Sequence, residues 1–201
     1  MAIHRIVSLL LVLLLAGCAT STRITQSWRD KDYHGARFEK VLVIGFGEDG
    51  ARRRVFEDQF VAVLRASGVA AVASYALVPG LAEADLAHVR EAVGKSAADA
   101  VLSVRLVGVD KRVNVYPAQP MFVPAVGYRR GFYNYYSSVL MTPPSTYSYE
   151  VVTLETNLWN ASGDGLVWSA TSESFAPEDA GKAAAELARI VVAAARGQGL
   201  L

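Results

Sequence analysis

Between Lys40 and Phe46 the chain reads KVLVIGF, an apolar, β-branched run with no polar break, which predicts a strand buried on both faces. The pattern then changes period. From Arg52 to Ser67 the apolar residues Phe56, Phe60, Val63 and Leu64 recur at helical spacing, and Gly68 stands where a helix-ending glycine belongs. Val69 to Leu77 is a second apolar run, broken by Pro79-Gly80. Leu86, Val89 and Val93 mark a second helix ending near Gly94. Ala100 to Tyr116 (AVLSVRLVGVDKRVNVY) predicts a long strand that begins apolar and ends alternating. Glu150–Asn160 and Gly165–Phe175 predict two more, joined by the turn-rich ASGDG. Pro177 is expected to open a last helix with Ala183, Leu187, Ile190, Val191 and Ala194 as its stripe.

The order β-α-β-α-β-β-β-α calls for parallel strands with right-handed crossovers, followed by an antiparallel meander. The expected fold is α/β with some α+β character: one mixed five-stranded sheet, order 2-1-3-4-5, with helices packed on it.

The ends of the chain change the picture more than its composition does. MAIHRIVSLLLVLLLAGCAT places His4 and Arg5 ahead of an apolar run, Ile6–Leu15, and a small-residue exit, Ala16-Gly17. That is the plan of a cleaved leader over residues 1–17, and the run is too short to span a bilayer, which takes ~20 residues. Leu15-Ala16-Gly17-Cys18 resembles the lipobox of bacterial lipoproteins. The resemblance implies a lipid on the Cys18 sulfur, a second acylation (such as palmitate) on its amine, and a membrane anchor that two or more chains make stable. Ala19 after the cysteine resembles lipoproteins sent to the outer membrane, facing the periplasm. Residues 18–27 then read as lipidated cysteine and tether, with Trp28 as the first packed residue of a single domain, 28–201.

A leader carries Arg5 away, so 20 basic residues against 19 acidic ones become 19 against 19. Near-zero charge gives no case for nucleic acid. Cys18 is the chain's one cysteine, and once lipidated it leaves no thiol for catalysis, disulfides or metal.

Residues 45–50, GFGEDG, spell G-x-G-x-x-G between a predicted strand and helix, the layout of a dinucleotide-binding turn. The follow-through is missing. ASGVAAVASYAL, residues 66–77, carries no acid for a ribose, and Glu48 and Asp49 put negative charge where phosphates would lie. Arg52, Arg53 and Arg54 point in three directions on a helix. The loop therefore reads as a tight turn with no cofactor, and Gly47→Val is expected to cost stability. His34 and His88 have no second ligand at metal-type spacing and read as surface residues. Glu155, Asp164 and Glu173 stand singly near the hairpin; a glycosidase-like pair stays open, with ordinary solvated faces as the expectation. No catalytic residue is nominated, and an enzyme is not expected.

The unusual segment is Tyr116 to Tyr149. It holds seven of the nine tyrosines and five of the seven prolines, with Arg129 and Arg130 as its charges. A segment this long and this aromatic packs on something. Either FYNYYSSVLM, residues 132–141, covers a sheet edge of its own domain, or the segment binds an envelope partner, protein or peptidoglycan. In the second reading Tyr128, Arg129, Arg130, Phe132, Tyr133, Tyr135 and Tyr136 form the surface.

Thr156-Asn157-Leu158-Trp159, Ser162-Gly163-Asp164-Gly165 and Leu166-Val167-Trp168-Ser169-Ala170 resemble a hairpin of small envelope lipoproteins. Phe38–Gly45, Arg53 and Phe56-Glu57 resemble the opening of the same domains. The group includes the curli secretion lipoprotein, the activators of penicillin-binding proteins and the N-terminal domain of the Tol translocation protein. The resemblance implies a non-catalytic binding, assembly or activator module anchored in the outer membrane. A secretion-pore subunit with a membrane-inserting aromatic hairpin is the alternative, ahead of a nucleotide-binding protein or a hydrolase.

Overall fold

The computed structural model describes residues 21–47, 49–79, 86–118, 120–122, 139–141, 143–163, 165–175 and 179–201. In chain order these form β1 (Thr22–Arg29), β2 (Lys40–Phe46), α1 (Gly50–Ala66), β3 (Ala70–Ala73) and a 3-10 turn (Ser74–Ala76). There follow α2 (Leu86–Ser96), β4 (Ala100–Tyr116), β5 (Pro120–Phe122), β6 (Val139–Met141), β7 (Ser145–Asn160), β8 (Gly165–Phe175) and α3 (Ala180–Gly197). The main sheet has six strands in the order β1-β8-β7-β4-β2-β3, and β5 pairs with β6 separately. The mixed α/β class and the order of the five expected strands stand; the count of five does not.

The added strand is β1, which lies antiparallel on β8 where a tether was expected. Its sequence, TRITQSWR, is polar on one face because only one face is covered. Thr22 is buried, Ile24 packs on the core, and Trp28 on the other side is 51% exposed. Trp28 is thus not the first packed residue. β3 stops at Ala73, short of the expected Leu77, and β7 begins at Ser145, five residues before the expected Glu150.

β2 is buried from Val41 to Gly45 because helices cover both of its faces. Val41 and Val43 join Phe60 and Leu64 of α1, Leu187 and Val191 of α3, and Trp168 of β8 in the larger core. Leu42 and Ile44 face the other way, into a smaller cluster with Ala92 of α2 and Val101. A continuous apolar run is what a central parallel strand requires, and β2 is parallel to both β3 and β4. The Asp99 carboxylate fixes its start by accepting from the Glu39 and Lys40 amides at 2.8 and 3.0 Å.

α1 is capped by Asp49, which accepts from the Ala51 and Arg52 amides, and it ends before Gly68, whose φ of +85° only glycine adopts freely. α3 is capped by Asp179 and starts at Ala180; the expected opening at Pro177 lies outside the described residues. Its buried stripe is Ala184, Leu187, Ala188, Val191, Val192 and Ala195. Leu187 and Val191 were expected. Ala194, also expected, is half-buried and packs against the core, and Ala183 and Ile190 are half-buried; Ala184, Ala188, Val192 and Ala195 complete the stripe.

Candidate functional site: a projecting β-ribbon

The glycine loop is the first place to look for a site, and its chemistry is already spent. Glu57 of α1 is fully buried. Its Oε1 accepts from the Gly45 amide at 3.0 Å, from Arg53 Nε at 3.1 Å and from Ser74 Oγ at 2.7 Å, while Oε2 accepts from the Tyr75 amide at 3.1 Å. Arg53 also donates to the Val78 carbonyl. This network binds the end of β2, the first turn of α1 and the end of β3 together at the edge where a nucleotide would sit in a dinucleotide-binding fold. Asp49 occupies the helix amides that would meet a phosphate, and Arg52 pairs with Asp49 at 3.2 Å. Arg54 stands over the Tyr75 ring, 5.7 Å from its centre. Tyr75 in turn donates to Asp58, a bond that raises its phenol pKa. A legible signal for the network was Arg53-x-x-x-Glu57 lying on the same helical stripe as Phe60 and Leu64.

The steric demand falls on Gly45. A Cβ there would meet Phe56 at 3.3 Å and Arg53 at 3.4 Å, whereas one at Gly47 would meet nothing within 4 Å. This corrects the expectation for Gly47. Gly45→Val is expected to lower the thermal midpoint by an amount matching a loss of ~1–3 kcal/mol from overpacking. Gly47→Val is expected to leave it within experimental error in the same calorimetric scan.

Cys18 and the seven residues Tyr128, Arg129, Arg130, Phe132, Tyr133, Tyr135 and Tyr136 lie outside the described residues. So does Asp164. His34 and His88 are both exposed, and among the described residues no group of three or more His, Cys, Asp or Glu could hold a metal ion.

Glu155 and Glu173 lie on the face of the sheet opposite α1 and α3. Glu155 accepts from Asn157 and from Arg105, and Glu173 bridges Arg23 at 3.0 Å and Arg112 at 3.1 Å. The Asn157 hydrogen bond, then Arg105, holds Glu155 below its ordinary pKa of 4.5; the Arg23 hydrogen bond, then Arg112, does the same for Glu173. A general acid needs the opposite shift, so neither carboxylate is set up to protonate a leaving group. Lowered folded values mean that both groups stabilise the fold above pH 4.5 and lose that contribution as pH falls through the lowered values. Urea midpoints should therefore drop on acidification through this window, and Glu155→Gln should drop less.

What the fold does build is a projection. β4 and β7 stay paired from Ala100–Asn160 to Tyr116–Ser145, through an irregularity between Leu106 and Gly108. β8 ends at Phe175, opposite Val151, which itself pairs with Asp110. Beyond that level, among the described residues, β4 and β7 continue as a two-stranded ribbon. Val113, Val115, Tyr116 and Tyr147 on it are 54–65% exposed, and Val107 and Val109 at its root are also more than half exposed. The strand register puts Val109, Lys111, Val113 and Val115 on one face, and Asp110, Arg112, Asn114 and Tyr116 on the other, beside Tyr147 and Tyr149. Tyr147 and Tyr149 stack at 6.0 Å, and Tyr149 contacts Phe175, over which Arg23 lies at 4.9 Å. The seven binding candidates, Tyr128 to Tyr136, fall between the two strands of this ribbon in the chain.

No protein-family model matches this chain, and no curated protein matches it. Among solved structures, a PelC dodecamer from Paraburkholderia phytofirmans is similar at 19% identity, over 83% of this chain and 94% of that one, with a TM-score of 0.44. Lipoprotein GNA1162 from Neisseria meningitidis is similar at 13% identity, over 79% of this chain and 96% of that one, with a TM-score of 0.42. Likenesses this distant carry no role over to this chain. What its own fold defines is a mixed α/β domain with a long, partly apolar ribbon reaching past its sheet.

Proposed function

We propose that the chain is a lipoprotein of the bacterial envelope, anchored in the outer membrane through Cys18 and facing the periplasm. It acts without catalysis, by contact through the β4–β7 ribbon and the Tyr-rich segment between its strands. The observation that carries this reading is the ribbon itself. Four large apolar or aromatic side chains, Val113, Val115, Tyr116 and Tyr147, stand more than half exposed on a two-stranded element that adds nothing to either core cluster. Solvated apolar area of this kind marks interaction surfaces. No helix among the described residues is long and apolar enough to cross a membrane, so a membrane attachment by helix would have to lie elsewhere, and the leader-lipobox sequence supplies a lipid instead.

Two measurements test the reading. Cys18→Ser is expected to move the protein from the membrane to the soluble fraction of cells, because the acyl chains supply the anchoring energy; unchanged retention overturns the anchor. A photoreactive residue in place of Val113 is expected to capture an envelope component, and its absence from every adduct overturns the contact surface.

A further inference from the structure

The ribbon and the expected anchor lie at the same end of the sheet. Ser21 is held there by its carbonyl, which accepts from the Phe175 amide at 2.8 Å, and by its hydroxyl, which donates to Glu186 at 2.9 Å. Phe175 pairs with Val151, and Val151 with Asp110. Ser21 is thus level with Asp110, at the point where β4 and β7 leave the rest of the sheet.

Two lengths then decide the geometry. From Asp110 to Tyr116 the ribbon advances six residues, about 20 Å at strand rise. From Ser21 back to Cys18 there are three residue steps, which fully extended reach about 10–11 Å. The projection is roughly twice the reach of the leash. A lipid on Cys18 holds Ser21 within that reach of the membrane, so a ribbon directed toward the bilayer from the same end of the sheet meets its surface before the leash is fully extended.

The ribbon's chemistry fits the encounter. Its charges stop at one level: Asp110, Lys111 and Arg112 on β4, and Glu150, which pairs directly with Lys111, on β7. Past them, from Val113 to Tyr116 and from Ser145 to Ser148, there is no charged residue, and Val113, Val115, Tyr116 and Tyr147 are exposed. Tyrosine beside short aliphatics suits the headgroup boundary, where an apolar ring and a polar hydroxyl are both satisfied. The level of charges on both faces excludes a deeper position: a barrel wall needs one lipid-facing side free of charge along its whole length, and neither face provides it.

We propose that the uncharged end of the ribbon, Val113–Tyr116 with Ser145–Ser148, docks on the surface of the same bilayer that holds the Cys18 lipid, as a second point of attachment that sets the tilt of the domain. This rests on the anchor reading above and names the component that meets the ribbon.

The test uses the full lipidated chain, reconstituted in vesicles of phosphatidylethanolamine and phosphatidylglycerol that carry a headgroup nitroxide quencher. Once Cys18 is lipidated the protein has no other thiol, so Val115→Cys and Ser162→Cys each take one fluorophore. Ser162 lies in the turn between β7 and β8, at the opposite end of the sheet. Several-fold stronger quenching at position 115 than at 162 is expected. Equal quenching at the two positions in a chain that floats with the vesicles overturns the docking and leaves the anchor standing. Shielding at 115 without lipid quenching gives the ribbon to a protein partner and also overturns it. A chain that does not float removes the anchor, and the proposal with it.

Discussion

Glu57→Ala is expected to destabilise the fold by about 3–5 kcal/mol, the cost of removing one partner from a buried ion pair. Glu57 is fully buried, and its carboxylate accepts four hydrogen bonds, from Arg53, Ser74 and the amides of Gly45 and Tyr75. Alanine removes the Glu57 counter-charge, 3.1 Å away, from the Arg53 guanidinium, which is 6% exposed. It also strips the acceptor from two backbone amides, each an added cost when buried. The pair itself is a different matter. Desolvating two charges offsets much of their attraction, so Arg53→Met combined with Glu57→Leu should recover part of the loss. The Gly45 and Tyr75 amides would still lack acceptors, so recovery should stop short of the parent protein. Urea denaturation of the three proteins measures this directly. A Glu57→Ala cost below ~1 kcal/mol, the range of exposed pairs, would mean that water reaches the site.

This network also shows where reading the sequence stopped. GFGEDG was legible as a strand-to-helix turn, because strand, glycines and helix follow one another in three distinct patterns. That Gly45 rather than Gly47 carries the steric demand was not legible. The demand comes from Phe56 and Arg53, which return to the turn only once α1 has docked. β1 was missed because an edge strand covered on one face needs few apolar residues, and Thr22 and Ile24 suffice. The start of β7 was missed because STYSY lies in a segment marked by proline and tyrosine rather than by alternation. The ribbon was half legible. The period-two pattern of VGVDKRVNVY correctly announced a strand, but alternation says only that two faces differ, and here neither face beyond Asp110 is covered by a helix among the described residues. The residues nominated for binding lie outside those described; β4 and β7 precede and follow them in the chain.

The second large effect is expected at Trp168, where a short sequence motif acquires a physical reason. Leu166-Val167-Trp168-Ser169 is the passage that resembles envelope lipoprotein hairpins. In the fold Trp168 sits on β8, flanked across the sheet by Leu158 of β7 and Arg29 of β1. It is among the largest fully buried side chains and belongs to the same core as Leu187 and Val191 of α3. Trp168→Ala should cost about 3–5 kcal/mol, because the emptied volume lies between sheet and helix where neither can collapse far. The indole Nε1 is buried with no hydrogen-bond partner among the described residues. The ring is therefore held for its volume, and its N–H is a liability in that setting. Trp168→Phe removes that N–H and keeps most of the ring, so it should cost far less than alanine, about 1–2 kcal/mol. If phenylalanine instead proved as costly as alanine in urea denaturation, the indole nitrogen would have to be satisfied, and the motif would be preserving a hydrogen bond rather than a shape.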